Sequence, residues 1–155
     1  MNNEIAALLK HQHNSGVYWS KTEPKTYSQS VKDIDENYYL FYFNGTGIVD
    51  TNQFLLKFCE TIEAPEPEAC IDNFDVFLDY LRGISYYHND EIITHIIIYY
   101  NVNDFAFNNQ ALFNEIVTVF GFATKAWYDR ASDNRLYILM TGERDLKPEI
   151  AVLEI

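Results

Sequence analysis

The residues of this chain whose type and spacing could do chemistry are carboxylates. Between Phe58 and Leu81 stand Glu60, Glu63, Glu66, Glu68, Asp72, Asp75 and Asp79, with no Lys or Arg among them. Residues 73–82 read as a helix with two faces. At about 100° per residue, Phe74, Phe77, Leu78 and Leu81 share one side, while Asp72, Asp75 and Asp79 share the other beside Val76 and Tyr80. Asp75 and Asp79 are one turn apart and repel each other, which costs the helix a few tenths of a kcal/mol. Paired carboxylates can cleave glycosidic bonds, but such pairs face each other across a cleft, usually from different elements, and no sugar platform is evident. A calcium site would need a loop rich in oxygen ligands, and none accompanies these acids. Two readings remain, a solvated helix face and a docking face for a basic partner. One-sided charge over more than twenty residues makes the second at least as good as the first.

The other reactive residue types read as structural. His11 and His13 are two apart, a poor spacing for joint ligation on a helix. His88 lies in a connection, and His95 sits inside an apolar strand as a hydrogen-bonded structural residue. Cys59 falls on an apolar helix face and reads as a core thiol. Cys70 precedes the acidic helix and is expected to be partly exposed. Neither has the cationic surroundings of a nucleophile. With no export signal recognised, two cysteines read as free thiols in the cytoplasm. Gly45-Thr46-Gly47 lacks the third glycine of a dinucleotide loop and reads as a turn. Most of the twelve tyrosines and eleven phenylalanines read as core. Tyr80, Tyr86 and Tyr87 are candidates for an interface.

The elements that must position the acids follow from hydrophobic pattern. Ile5, Ala6, Leu8 and Leu9 suit a short helix, Asn14-Ser15-Gly16 a turn, and Val17-Tyr18-Trp19 a short strand or strap. Residues 20–36 are polar and read as surface wrapping. Residues 1–36 therefore read as an N-terminal extension, and 37–155 as one domain. Residues 38–43 are apolar throughout, as in a strand covered on both faces, and Asn44-Gly45-Thr46-Gly47 closes it. A helix starts at Asp50 or Thr51, with Phe54, Leu55, Phe58, Cys59 and Ile62 on its inner face, and Pro65 and Pro67 stop it. After the acidic helix Gly83 serves as a C-terminal cap. Residues 94–100 form the second strand, 101–107 a loop, and a long amphipathic helix runs from Asn109 through Trp127, with Gly121 as a place to bend. Ser132-Asp133-Asn134 is a turn, 136–140 the third strand, and 150–153 a short edge strand. Strands separated by helices predict a parallel sheet with right-handed crossovers.

The chain has 155 residues, 48% apolar, 16% aromatic, with net charge −12. That is enough apolar material for one real core. The charge argues against nucleic acid or an anionic membrane as partner, because their phosphates would repel it. The longest apolar run, from Ile92 to Tyr100, is far too short to span a bilayer. Residues 1–9 lack the basic head and apolar segment of a signal peptide.

In this order of elements, Pro67-Glu68 followed by Asn73, Asp75, Asp79, Leu81 and Gly83 resembles the barstar family, intracellular inhibitors of the secreted ribonuclease barnase. The strand at 38–43, the Asn44-Gly45 turn and the following helix look like the family's first strand and helix. The last helix and strand fit as well. The resemblance covers roughly residues 38–140, and Gly16-Val17-Tyr18 is similar to a lead-in of longer members. It implies an α/β fold with a small three-stranded parallel sheet packed with helices. It also implies a protein that performs no chemistry and uses no cofactor or metal.

The resemblance further implies that the acidic helix and the segment before it plug a nuclease active site. Asp79 would stand in for a substrate phosphate against the toxin's arginines and lysines, flanked by Asp75 and Asn73. Asp72, Val76, Leu78, Tyr80, Arg82 and Gly83 would surround that centre. The family's aromatic pair and glycine are replaced here by Ala69, Cys70 and Ile71, and its helix tryptophan by Leu78, which points to a target other than barnase. The expectation is a cytoplasmic immunity protein that binds a basic nuclease toxin in a 1:1 complex. The alternative is a non-enzymatic adaptor that offers the same acidic face to another basic protein.

Overall fold

A computed structural model describes residues 15–20, 31–33, 38–84, 94–130, 134–143, 146–148 and 152–154. Its elements in chain order are β1 (Gly16–Ser20), β2 (Val31–Asp33), β3 (Tyr38–Asn44), α1 (Thr51–Thr61), a 3-10 turn (Pro67–Cys70), α2 (Phe74–Arg82), β4 (Thr94–Tyr100), α3 (Asn103–Asn108), α4 (Gln110–Asp129), β5 (Arg135–Thr141) and β6 (Val152–Glu154). The expected features at residues 5–13, 86–88 and 132–133 lie outside the described residues.

The three expected strands form the centre of the sheet, but the sheet is wider than three. Its order is β2-β3-β4-β5-β1-β6. β3, β4, β5 and β1 are four long parallel strands; β6 extends them in parallel and β2 pairs antiparallel with β3. The fourth long strand comes from the residues before 36: Val17 pairs with Ile138 and Trp19 with Met140. The physical reason is burial. Val17, Tyr18 and Trp19 are almost wholly shielded, and consecutive buried residues on both faces require a place inside a sheet. Tyr18 reaches the second face, where Leu40, Ile96, Ile98, Tyr137 and Leu139 also pack. Burial pushes the Tyr18 phenol up to about 12, with Tyr137 adding to the effect.

Helices α1, α2 and α4 share one core with the opposite sheet face. Phe58 is its hub. Its ring lies 4.9 Å from Phe43 on β3, 5.6 Å from Phe54 on α1, 5.4 Å from Phe77 on α2 and 5.3 Å from Phe120 on α4. One side chain thus ties the acidic helix to the sheet and to both neighbouring helices. His95 is fully buried on this face, with its ring 6.3 Å from Phe41 and 5.6 Å from Trp127.

Three expectations need correction. Residues 101–107 are not simply a loop. Asn101 takes a left-handed turn (φ 55°), and α3 follows because Phe105 and Ala106 are buried against the helical core. Gly121 does not interrupt α4, which runs through it for 20 residues. Cys59 and Cys70 are not free thiols: both are fully buried and form a disulfide. The turn at Gly45 is as expected. A side chain there would collide with the Asn101 carbonyl oxygen at 2.4 Å, so only glycine lets β3 leave the sheet so close to β4. Among the described residues no helix is long and apolar enough to cross a membrane.

Candidate functional site

The acids form a ridge in the sense of one continuous exposed stretch of chain, running from the end of α1 through the 3-10 turn to α2. Glu60, Glu63, Glu66, Glu68, Asp72, Asp75 and Asp79 are all exposed. α2 begins where the sequence places it. Asn73 is the N-cap, and its side-chain Oδ1 accepts from the Val76 N–H at 3.1 Å. This bond satisfies one of the free donors of the first turn. Asp75 stands in that turn, where the helix dipole favours a negative charge. Asp79 lies one turn on. Its Oδ1 is 3.8 Å from Arg82 Nη1, with the side chains 75% and 42% exposed. An exposed pair this long holds neither charge firmly.

The apolar side seats the helix. Phe77 and Leu81 are fully buried, while Phe74, Val76, Leu78 and Tyr80 are half-buried against the same core. Gly83 closes the helix, donating its N–H to the carbonyls of Asp79 at 2.9 Å and Tyr80 at 3.2 Å. Its φ of −100° is not left-handed, so any residue could take that backbone position. The helix end is also held from α4. Trp127 Nε1 donates to the Leu81 carbonyl at 3.0 Å, and Arg130 Nη2 to the Arg82 carbonyl at 2.7 Å. The Arg130 guanidinium lies 5.0 Å over the Trp127 ring. A cation at a helix C-terminus complements the partial negative charge there.

The segment before the helix is tied down at several points that sequence reasoning did not identify. The Cys59–Cys70 bridge joins α1 to the 3-10 turn. Asn52 Oδ1, in the first turn of α1, accepts from the Asp72 N–H at 3.1 Å. Asp72 itself is left-handed (φ 54°), a conformation that aspartate tolerates better than most residues. The Tyr80 hydroxyl donates to the Glu66 carbonyl at 3.0 Å. Tyr39 on β3 donates its hydroxyl to Glu63 Oε1 at 2.7 Å. Burial first, then that bond and the charge on Glu63, push the Tyr39 phenol up to about 12. Nothing in the pattern marks Asn52 as a partner of Asp72. The disulfide had one trace in the sequence, a cysteine on the inner face of one helix and a second at the next turn.

Among the described residues no three His, Cys, Asp or Glu side chains are grouped to hold a metal. The site therefore offers carboxylates on a braced frame: a parallel α/β sheet carrying one helix with a charged outer face. A protein-family model described as Barstar (barnase inhibitor) matches residues 38–139. The chain belongs to the barstar family, whose members are inhibitors and not enzymes. Comparison with curated proteins and with solved structures gives no match.

Proposed function

We propose that this chain is an immunity protein that inhibits a ribonuclease toxin by inserting α2 and the preceding turn into the toxin's basic active site. Asp79 is the centre of the contact. Asp75 and Asn73 flank it, and Asp72, Val76, Leu78, Tyr80, Arg82 and Gly83 form its surround. The observation that carries this reading is the ridge itself: seven exposed carboxylates with no cation among them from Phe58 to Leu81, in a chain of the barstar family. A ribonuclease cleft must attract a polyanion, so a rigid array of carboxylates can occupy it in place of phosphates. Asn73 acts mainly through geometry, because its Oδ1 is already used to start the helix. Ala69, Ile71 and Leu78 offer a smaller, less aromatic surface than barstar's, which suits a nuclease other than barnase.

On this reading the complex is 1:1 and forms in the cytoplasm of the cell being protected. A reducing compartment acts against the Cys59–Cys70 bridge. The test is capture of the partner with the tagged full chain, followed by RNA cleavage by that partner with and without the chain. The expected result is a basic ribonuclease whose activity falls to background at an equimolar amount of this protein. Capture of a basic protein without nuclease activity would favour the adaptor reading, and turnover of a substrate by the chain alone would refute both.

A further inference from the structure

The acidic segment between α1 and α2 is closed by a disulfide. Glu60, Glu63, Glu66 and Glu68 all lie between Cys59 and Cys70, and all are exposed. No cation lies within this loop to offset their repulsion. Its backbone bonds are short-range: Ala64 N–H to the Cys59 carbonyl, Ala69 to Glu66, Ile71 to Glu68 and Asn73 to Cys70. Against them stand longer ties, from Asp72 to Asn52, from Tyr80 to Glu66 and from Tyr39 to Glu63. Only the bond from Cys59 to Cys70 is covalent. It joins the turn that leads into Asn73 and Asp75 to a helix packed on the sheet.

We propose that the Cys59–Cys70 disulfide is a reversible staple that sets the affinity of the acidic ridge, and that a docked partner shields it from reduction. This deepens the inhibitor reading and rests on it for the affinity, though not for the staple. Closing the loop removes disordered conformations of residues 60–69, so the oxidised chain presents Glu66, Glu68 and Asp72 preorganised. The reduced chain must order that loop when it binds.

The route of reduction also follows from the fold. Cys59 lies on a helix face packed in the core, whereas Cys70 ends a four-residue turn flanked by exposed Glu68, Ala69, Ile71 and Asp72. Opening that one turn brings Cys70 Sγ to solvent. A dithiol reductant then attacks it as thiolate. The bond to Cys59 Sγ breaks, Cys59 leaves as thiolate and takes a proton, and Cys70 is held in a mixed disulfide. The reductant's second thiolate displaces Cys70, which also takes a proton. The products are two protein thiols and one oxidised dithiol. The surrounding carboxylates repel the additional carboxylate charge of glutathione, so a dithiol that carries no charge besides its attacking thiolate is the better reductant. A partner seated on the turn blocks its opening. By linkage, the factor by which reduction weakens binding is the factor by which binding resists reduction at equilibrium.

The test begins with the full chain alone, oxidised or treated with dithiothreitol. Amide exchange at Ala69, Ile71, Asp72 and Asn73 is expected to quicken about tenfold or more on reduction, while β4 amides are unchanged. The Cys59→Ser/Cys70→Ser chain should match the reduced protein and ignore dithiothreitol. Glutathione at equal thiol concentration should act more slowly than dithiothreitol. Unchanged exchange on reduction, or a double variant that behaves like the oxidised protein, would overturn the staple. The second arm uses the ribonuclease captured as above. Its affinity should fall about tenfold on reduction, and its presence should protect the disulfide to the same degree. Equal affinity in both states would overturn the affinity claim. If exchange changes as stated but no ribonuclease is inhibited in either state, the staple stands and the inhibitor reading fails.

Discussion

The indole Nε1 of Trp127 donates to the main-chain carbonyl of Leu81 at 3.0 Å. Both residues are fully buried. The last turn of α2 is therefore fixed by α4, from the side opposite its carboxylates. Trp127→Phe keeps much of the apolar volume but leaves the Leu81 carbonyl without this donor. It should lower stability by about 1–3 kcal/mol, and it also weakens the perch of Arg130 over the ring. Denaturant unfolding measures this, and a variant as stable as the parent chain would show that the bond does not hold the helix.

Removing single carboxylates should separate binding from folding. Asp79→Ala and Asp75→Ala are each expected to cost roughly 2 kcal/mol of binding, about 30-fold in inhibition constant, if they sit at the centre of the contact. Stability should hardly move. Each change relieves the repulsion between the two acids by a few tenths of a kcal/mol. Asp79→Ala gives up only an exposed pair with Arg82, and Asp75→Ala loses a small dipole benefit. Variants that inhibit like the parent chain would remove α2 from the interface.

Asn73→Ala should behave differently, because Asn73 works as a cap. Loss of the bond to the Val76 N–H costs about 1 kcal/mol of stability. Inhibition should weaken in parallel, and Asn73→Ser should restore both. An Asn73→Ala chain with native stability but poor inhibition would mean that the side chain contacts the partner directly.

Charge complementarity predicts a rate that depends on salt. The association rate with a basic ribonuclease should fall steadily as sodium chloride rises, with dissociation much less affected. Stopped-flow measurement across salt concentrations decides this, and a flat association rate would count against the carboxylate ridge as the steering element.

Stability should also fall in alkali. The Tyr18 and Tyr39 phenols are pushed up to about 12, and Tyr99 is raised too, by burial and by the charge of Asp104. Below pH 10 these phenols are neutral whether the chain is folded or not. Above pH 10 the unfolded chain releases their protons and the folded chain does not. The unfolded state then binds fewer protons, so stability drops as pH rises from 10 through 12. Thermal unfolding should show this decline, blunted in Tyr99→Phe. An unchanged melting temperature up to pH 12 would refute it.

What was legible in the sequence was whatever a local pattern decides. The apolar runs of β3, β4 and β5, the inner faces of α1 and α4, and the bounds of α2 all depend on neighbours within a few residues. So does the exposure of Asp75 and Asp79. The rest depends on distant partners. α3 is short, and its helical state depends on Phe105 finding Phe54, 5.0 Å away between ring centres. The bond from Asn52 to Asp72 and the pairing of Cys59 with Cys70 exist only once α1 and the turn are packed together. The place of Val17-Tyr18-Trp19 was open for the same reason, since its partners on β5 lie far along the chain.

That last placement has a consequence for how the protein is made. Ser15 Oγ accepts from the Leu136 N–H at 3.0 Å across 121 residues, and β1 then lines up along β5. A ribosome releases the N-terminal strand long before it has synthesised the strand beside which it belongs. β3, α1, α2 and β4 can come together first, because β3 and β4 pair directly. β1 must wait, and closing so long a loop is slow. During synthesis the ridge of carboxylates can therefore be assembled while the sheet still has an open edge at β5, so the acidic surface is expected to form before the fold is finished.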